Sequence, residues 1–320
     1  MEHVTAAEFE KDGKLQIMYG IHGQVDLEEQ ELDHFEGYRR SRPVRVGNKA
    51  AEQFQLEIYG EVLTSAYELA RRGLPLDEHV AGFLTKVANH VQEVWTRPDY
   101  GIWEIRSEPR HFTYSKIMAW VALDRAIQLA TTYGLEGDVP SWERTRSQIR
   151  AAVLEHGYSE RAGSFVMAFD WDDLDAANLR IPLVEFLPCD DPRVQNTIDR
   201  TIERLTEDGL VYRYLVDDGL PGKEGAFGLC SFWLVDALAL FGRIDEALEI
   251  FEKAAGHANH VGLFPEQFDP ATGEFLGNFP QAFTHLGLIN SVLYLAHAQG
   301  KPIPETSPIG TPAHREQVSR

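Results

Sequence analysis

Long stretches of this chain repeat their apolar residues every three or four positions, and a chain written in that rhythm can bury its apolar face only as packed helices. From Ala50 to Arg72, AAEQFQLEIYGEVLTSAYELARR puts Phe54, Ile58, Val62, Ala66 and Leu69 on one side, and Gly73 follows as a stop signal. The same period runs through 77–96, 112–134 and 139–156, and it returns at 177–187, 191–207, 226–241, 243–257 and 280–298. About nine helices are predicted, with LVYRYLV at 210–216 read as a loop hairpin. Helices separated by loops of very unequal length suggest helical hairpins packed in a ring or solenoid.

Three of those loops are long: PDYGIWEIRSEPRHF at 98–112, DDGLPGKEGAFG at 217–228 and HVGLFPEQFDPATGEFLGNFP at 260–280. Long loops on a rigid helical frame are where binding and catalytic groups collect. The tail KPIPETSPIGTPAHREQVSR, 301–320, carries too little apolar surface to fold and is expected to be disordered. No internal linker divides the remainder, so residues 1–300 are read as one domain.

The formal charge of −20 repels phosphate backbones and anionic membrane surfaces, so nucleic acid and membrane are not expected partners. No run approaches the roughly 18 apolar residues of a membrane helix, and the N-terminus lacks a signal-peptide pattern. Cys189 and Cys230 are the only cysteines and belong to no metal-binding spacing. A cytoplasmic chain without metal ligands is the expectation.

Two acids sit among aromatics inside the long loops. Glu104 follows Trp103 and lies near Tyr100, and Glu266 lies between Phe264, Pro265 and Phe268. Cleavage of a glycosidic bond needs one protonated carboxyl to hand a proton to the leaving oxygen, and one carboxylate to activate water or attack the sugar. Any single acid among fifty is far more often a solvated surface group, and Trp103 and Trp233 are more often core residues than sugar platforms. Arg42, Arg45 and Arg106 read alone would be ordinary surface ion pairs.

A resemblance adds to these residues. SRPVRVGN at 41–48, PDYGIWEIR at 98–106, HFTYSKIMAWVALDRA at 111–126, EGAFGLCSFWLVDAL at 224–238 and LFPEQFDPATGEFLGNFPQAFTHLGLIN at 263–290 resemble, in the same order, motifs of the glucoamylase family, glycoside hydrolase family 15, in its bacterial glucoamylase and trehalase-like branch. The resemblance implies an all-α fold, the (α/α)6 barrel or six-hairpin toroid. It further implies inverting hydrolysis of terminal α-glucosidic bonds, with Glu104 as general acid and Glu266 as general base about 6.5–9.5 Å apart. Arg42, Arg45, Trp103, Arg106, Glu224 and Trp233 would bind substrate. A maltooligosaccharide, a starch-like glucan and trehalose all remain open as substrate, and no cofactor is expected beyond the phosphate or magnesium dependence of some relatives.

Against the family pattern the chain starts late. An N-terminal β-sandwich and the first barrel helices have no counterpart, Met1–Lys14 reads as the remnant of a helix, and about nine of twelve barrel helices are represented. The expectation is an incomplete barrel that exposes helix faces patterned for burial and needs a second copy or a partner chain to close it. The alternative to an active hydrolase is therefore a half-enzyme, inactive alone, that binds carbohydrate or requires an N-terminal partner.

Overall fold

A computed structural model describes Phe9, residues 13–216, 224–303 and 307–311, and His314. The chain divides into two units, Met1–Ala70 with Leu74–Ser147, and Arg71–Gly73 with Gln148–Arg320. Among the described residues there are eight α-helices and nine two-residue strands.

In the first unit, α1 (Glu57–Arg71) buries Tyr59, Leu63, Ala66, Tyr67 and Ala70, and α2 (Glu78–Val94) buries Leu84, Val87, Ala88, Val91 and Val94. Both stripes follow the helical period, but the one on α1 is not the expected row of Phe54, Ile58, Val62, Ala66 and Leu69, of which only Ala66 is buried and Leu69 is 49% exposed; the large Tyr59 and Tyr67 rings and Leu63 turn the buried face by about one position. Asp77 caps α2 by accepting from the Val80 amide at 2.8 Å. The next helix, α3 (Thr113–Tyr133), is buried on every side from Thr113 to Ala126 and ends at Gly134 with φ 78°. It is the centre of this unit. Gly60 of α1 lies against it so closely that a Cβ there would stand 2.5 Å from the Met118 carbonyl oxygen. Helix α4 (Val139–His156) plants Trp142 in the same core, its indole N–H on Asn89 Oδ1 at 2.9 Å. Ahead of the helices, β1 (Gln30–Glu31) pairs antiparallel with β2 (Arg45–Val46).

The second unit opens with the hairpin β3 (Tyr158–Ser159) and β4 (Ser164–Phe165), followed by α5 (Pro192–Leu205), whose cap is Asp191 and whose first residue is proline. The hairpin β5 (Thr206–Glu207) and β6 (Leu210–Val211) turns at Asp208 and Gly209, both at positive φ, the pair such a tight turn requires. Strands β7 (Ala226–Phe227), β8 (Gln267–Phe268) and β9 (Phe275–Leu276) form one antiparallel sheet. Beside it pack α6 (Gly228–Phe241), α7 (Ile244–Gly256) and α8 (Ala282–Ala298), around a core of Leu210, Phe232, Phe264 and Phe268. On α8, Phe283, Leu286, Ile289 and Val292 are each about half exposed or more.

Three further sequence expectations change. The helix expected from Ala50 begins at Glu57, after a short 3-10 turn at Lys49–Glu52. The backbone between them is committed elsewhere: Phe54 accepts from the Tyr100 amide at 3.0 Å, and the Leu56 amide donates to Asp99 at 3.3 Å. The helix expected at 177–187 is a 3-10 helix, Ala176–Arg180, running into turns. Pro182 offers no amide hydrogen for a bond back to Asn178, and although Ile181 keeps helical angles, Glu185 turns left-handed at φ 63°, so the helix does not run on. The tail expected to be disordered supplies packed residues, since Tyr294 donates to the Ile309 carbonyl at 2.7 Å and Thr311 and His314 are buried. Residues 304–306, 312–313 and 315–320 lie outside the described residues, as do 217–223 of the second long loop and most of the expected helix remnant at Met1–Lys14. Phe9 of that remnant is buried, edge-on to Phe83 at 5.7 Å.

Candidate active site

In the first unit the loop 98–112 is closed at its base by reciprocal backbone hydrogen bonds between Asp99 and Arg110, at 2.9 and 2.8 Å. The Asp99 side chain is buried, and its Oδ2 accepts from the Leu56 and Gly101 amides at 3.3 and 3.1 Å. Burial pushes the Asp99 carboxyl up, opposed by the nearby Lys116 charge, and Lys116 is itself pushed down to about 8 by burial. Lys116 Nζ reaches from α3 to the Trp95 carbonyl at 2.8 Å and to that of Arg97, so it ties the end of α2 to the start of the loop. Glu57, at the head of α1, is also buried and held well above the usual carboxylate range, first by burial, then by the charges of Asp99, Glu61 and Glu104.

The turn that follows decides where each side chain goes. Gly101 sits at φ 69°, where a Cβ would stand 3.0 Å from the Phe112 ring, and Glu104 itself adopts φ 55°, a left-handed posture rare for a residue with a side chain. Trp103 and Ile105 are thereby buried while Glu104 between them stays half-exposed. Glu104 Oε2 accepts from Asn48 Nδ2 at 3.1 Å. Trp103, expected to offer a face to a sugar, is 8% exposed and has little surface to offer.

The predicted arginines divide. Arg106 forks onto Glu29, at 2.9 and 3.4 Å, and Arg45 contacts both Glu29 at 3.3 Å and Glu31 at 3.1 Å. Glu29 therefore bridges two of the expected sugar ligands, and its carboxyl is held low, first by the Arg106 hydrogen bond. Arg42 is exposed and has no ion-pair partner among the described residues.

In the second unit Glu266 stands just ahead of β8. Its backbone is fixed on both sides, the amide donating to the Asn278 carbonyl at 2.9 Å and the carbonyl accepting from the Gly228 amide at 3.0 Å. Asn278 answers with two donors to one oxygen: its amide N–H and its Nδ2 reach Glu266 Oε2 at 2.9 and 2.8 Å. Gly277, at φ 71°, leaves room for this, because a Cβ there would lie 2.8 Å from the same oxygen. Next to Glu266, Gln267 Nε2 donates to Glu224 Oε2 at 3.0 Å, and Glu224 takes a bidentate pair from Arg213 at 2.7 and 3.3 Å. Trp233 is 7% exposed with the Arg180 guanidinium 5.3 Å from its ring centre, so it too is a packed residue. Thus Glu266 and Glu224 are joined through Gln267.

Asn48, Asn278, Glu29 and Asp99 were not among the predicted site residues. Asn48 and Asn278 stand in the motifs SRPVRVGN and LGNFP, but an amide that titrates nowhere draws no attention until its partner is known. Among the described residues no group of three or more His, Cys, Asp and Glu is placed to hold a metal ion, and no helix is long and apolar enough to cross a membrane.

Helical hairpins that carry short β-hairpins and acid-bearing loops define an all-α protein of the (α/α)6 type, and a bacterial glucoamylase solved with acarbose shares that fold. It aligns over 99% of this chain and 47% of its own, with a TM-score of 0.68 at 14% identity. The chain belongs to the glycosyl hydrolases family 15, whose model matches residues 2–293. Among curated relatives it is similar to the trehalase of Mycobacterium tuberculosis, 44% identical over 92% of this chain and 44% of that protein. It is also similar to the trehalase of Mycolicibacterium smegmatis, 45% identical over 89% of this chain and 43% of that one. The chain spans less than half the length of these relatives.

Proposed function

We propose that this chain carries the acid and base of an inverting, exo-acting α-glucosidase of trehalase type. The observation that carries the reading is the matched presentation of Glu104 and Glu266, each half-exposed on a loop with one carboxylate oxygen held by an asparagine. Identity above 40% to two trehalases supports trehalose over longer glucans. Glu104, protonated, gives its proton to the glycosidic oxygen as the bond to the anomeric carbon breaks. Glu266, ionised, takes a proton from the water that attacks that carbon from the opposite face. Two donors on one oxygen suit a carboxylate that acts through the other. Arg42, exposed and unpaired among the described residues, is the arginine readiest to meet sugar hydroxyls.

The test is hydrolysis of trehalose and maltose by purified E104Q and E266Q. Each change is expected to cost about 10²- to 10⁴-fold in kcat, the usual contribution of one acid or base. Wild-type rates in either variant would sink the assignment. Proton NMR of the first trehalose turnovers should show one α- and one β-glucose per bond cleaved, and two α products would rule out inversion.

A second reading has its own observation. The row Phe283, Leu286, Ile289 and Val292 leaves an apolar face of α8 uncovered, as expected of a barrel represented in part. On that reading the chain is a half-enzyme, and turnover appears only when a further segment or partner covers the helix. Ordinary rates from a monomeric 320-residue chain would exclude it.

A further inference from the structure

Each of the two glutamates presents its oxygens unequally. Oε2 of Glu104 accepts from Asn48, Oε2 of Glu266 accepts twice from Asn278, and neither Oε1 has a hydrogen-bond partner among the described residues. We propose that Asn48 and Asn278 are positioning residues that reserve Oε2 of each glutamate for the protein and leave Oε1 for the reaction. The proposal rests on the acid and base roles given above.

The orientation of the Asn48 amide is fixed by its surroundings. Its Oδ1 accepts from the Ala50 amide at 2.9 Å and its own amide donates to the Leu27 carbonyl at 2.9 Å. Turning the side chain over would set Nδ2 against an N–H and Oδ1 against the carboxylate, so only one orientation satisfies both neighbours. With an N–H already aimed at Oε2 of Glu104, a proton added to that carboxyl goes to Oε1, since protonating Oε2 would forfeit an acceptor site the amide occupies. In the reaction the Oε1–H bond of Glu104 breaks and its proton joins the leaving glycosidic oxygen. Water oxygen bonds to the anomeric carbon, and its proton passes to Oε1 of Glu266. Exchange with solvent restores both groups.

At Glu266 the arrangement is tighter. Backbone and side-chain donors of one residue converge on Oε2, and the missing Cβ of Gly277 is what lets that oxygen sit there. Water can then be gripped at a single site, and a carboxylate free to rotate would present two.

The decisive variant is N48D, which keeps the acceptor for Ala50 and replaces the donor facing Glu104 with a second acceptor. Trehalose and maltose need a protonated leaving oxygen, whereas α-glucosyl fluoride expels fluoride without one. N48D should therefore lose about a hundredfold in kcat on the glycosides with KM nearly unchanged, and stay within about threefold of wild type on the fluoride. N278D should slow both kinds of substrate, because both need activated water. Equal losses on glycoside and fluoride in N48D, or no loss on either, would overturn the proposal for Asn48, and a fluoride rate spared in N278D would overturn it for Asn278. E104Q separates the layers: wild-type glycoside hydrolysis there refutes the acid assignment itself, while an inactive E104Q beside an unimpaired N48D refutes only the asparagine. A measurement independent of turnover is the infrared carboxyl band of Glu104, isolated at acid pH by subtracting the E104Q spectrum. Loss of the donor in N48A should move that band to higher wavenumber, and an unmoved band would contradict the hydrogen bond on which the proposal stands.

Discussion

Gly277 sets the limit on what can stand behind Glu266. An added methyl would meet Oε2 at 2.8 Å, and the positive φ is one that residues with a Cβ avoid. The Gly277→Ala variant is expected to keep its fold and lose about 10²-fold in kcat, because a carboxylate displaced by an ångström is no longer aimed. Steady-state kinetics beside a thermal melt would check it, and unchanged kcat would show that the packing is slack. At this scale the sequence was half legible. Glu104 and Glu266 stand out as acids among aromatics, but Asn48 and Asn278 acquire meaning only from distances of 3.1 and 2.8 Å across folded chain. Trp103 and Trp233 show the opposite case: the sugar-binding expectation marked both, and burial claimed both for packing.

Helix contacts offer a cleaner comparison. Gly60 of α1 and Gly82 of α2 are both helical glycines, yet a Cβ at Gly60 would press on the Met118 carbonyl of α3 at 2.5 Å, while one at Gly82 meets nothing within 4 Å. Gly60→Ala should destabilise by about 1–3 kcal/mol through overpacking against a buried backbone. Gly82→Ala should stabilise by about 0.5–1 kcal/mol, since alanine loses less freedom in a helix. Urea titrations of the two variants would test the pair, and the same sign for both would refute the α1–α3 contact. Helices α1, α2 and α5 were readable as helices because their burial recurs at the helical period, whereas α3 and α6 are buried on nearly every side. The exceptions, 50–56 and 177–187, failed for local reasons that a periodicity cannot carry: backbone groups of Phe54 and Leu56 bonded to the loop bearing Glu104, and a proline at 182.

For the molecule taken whole, buried acids set how stability responds to pH. Asp236 on α6 is fully buried beside Ser291 and Asn290, and burial pushes it up to about 7 against the pull of those hydrogen bonds and of Arg180. An unfolded aspartate ionises near pH 4, so between about 4 and 7 the folded state holds a proton the unfolded state has released. Stability present below pH 4 is therefore lost as the pH rises through that window. Glu57, raised by burial, acts in the same direction. D236N should remove part of this slope, so that wild type loses ground to the variant between pH 4.5 and 7.5 in urea unfolding, and parallel curves would count against it. The left-handed turn at Glu104 has a consequence at this scale as well. A side chain at φ 55° costs the fold about 1 kcal/mol that glycine would not. Selection for a high melting temperature alone would thus drift toward glycine at position 104, and the acid persists there only while turnover is selected too.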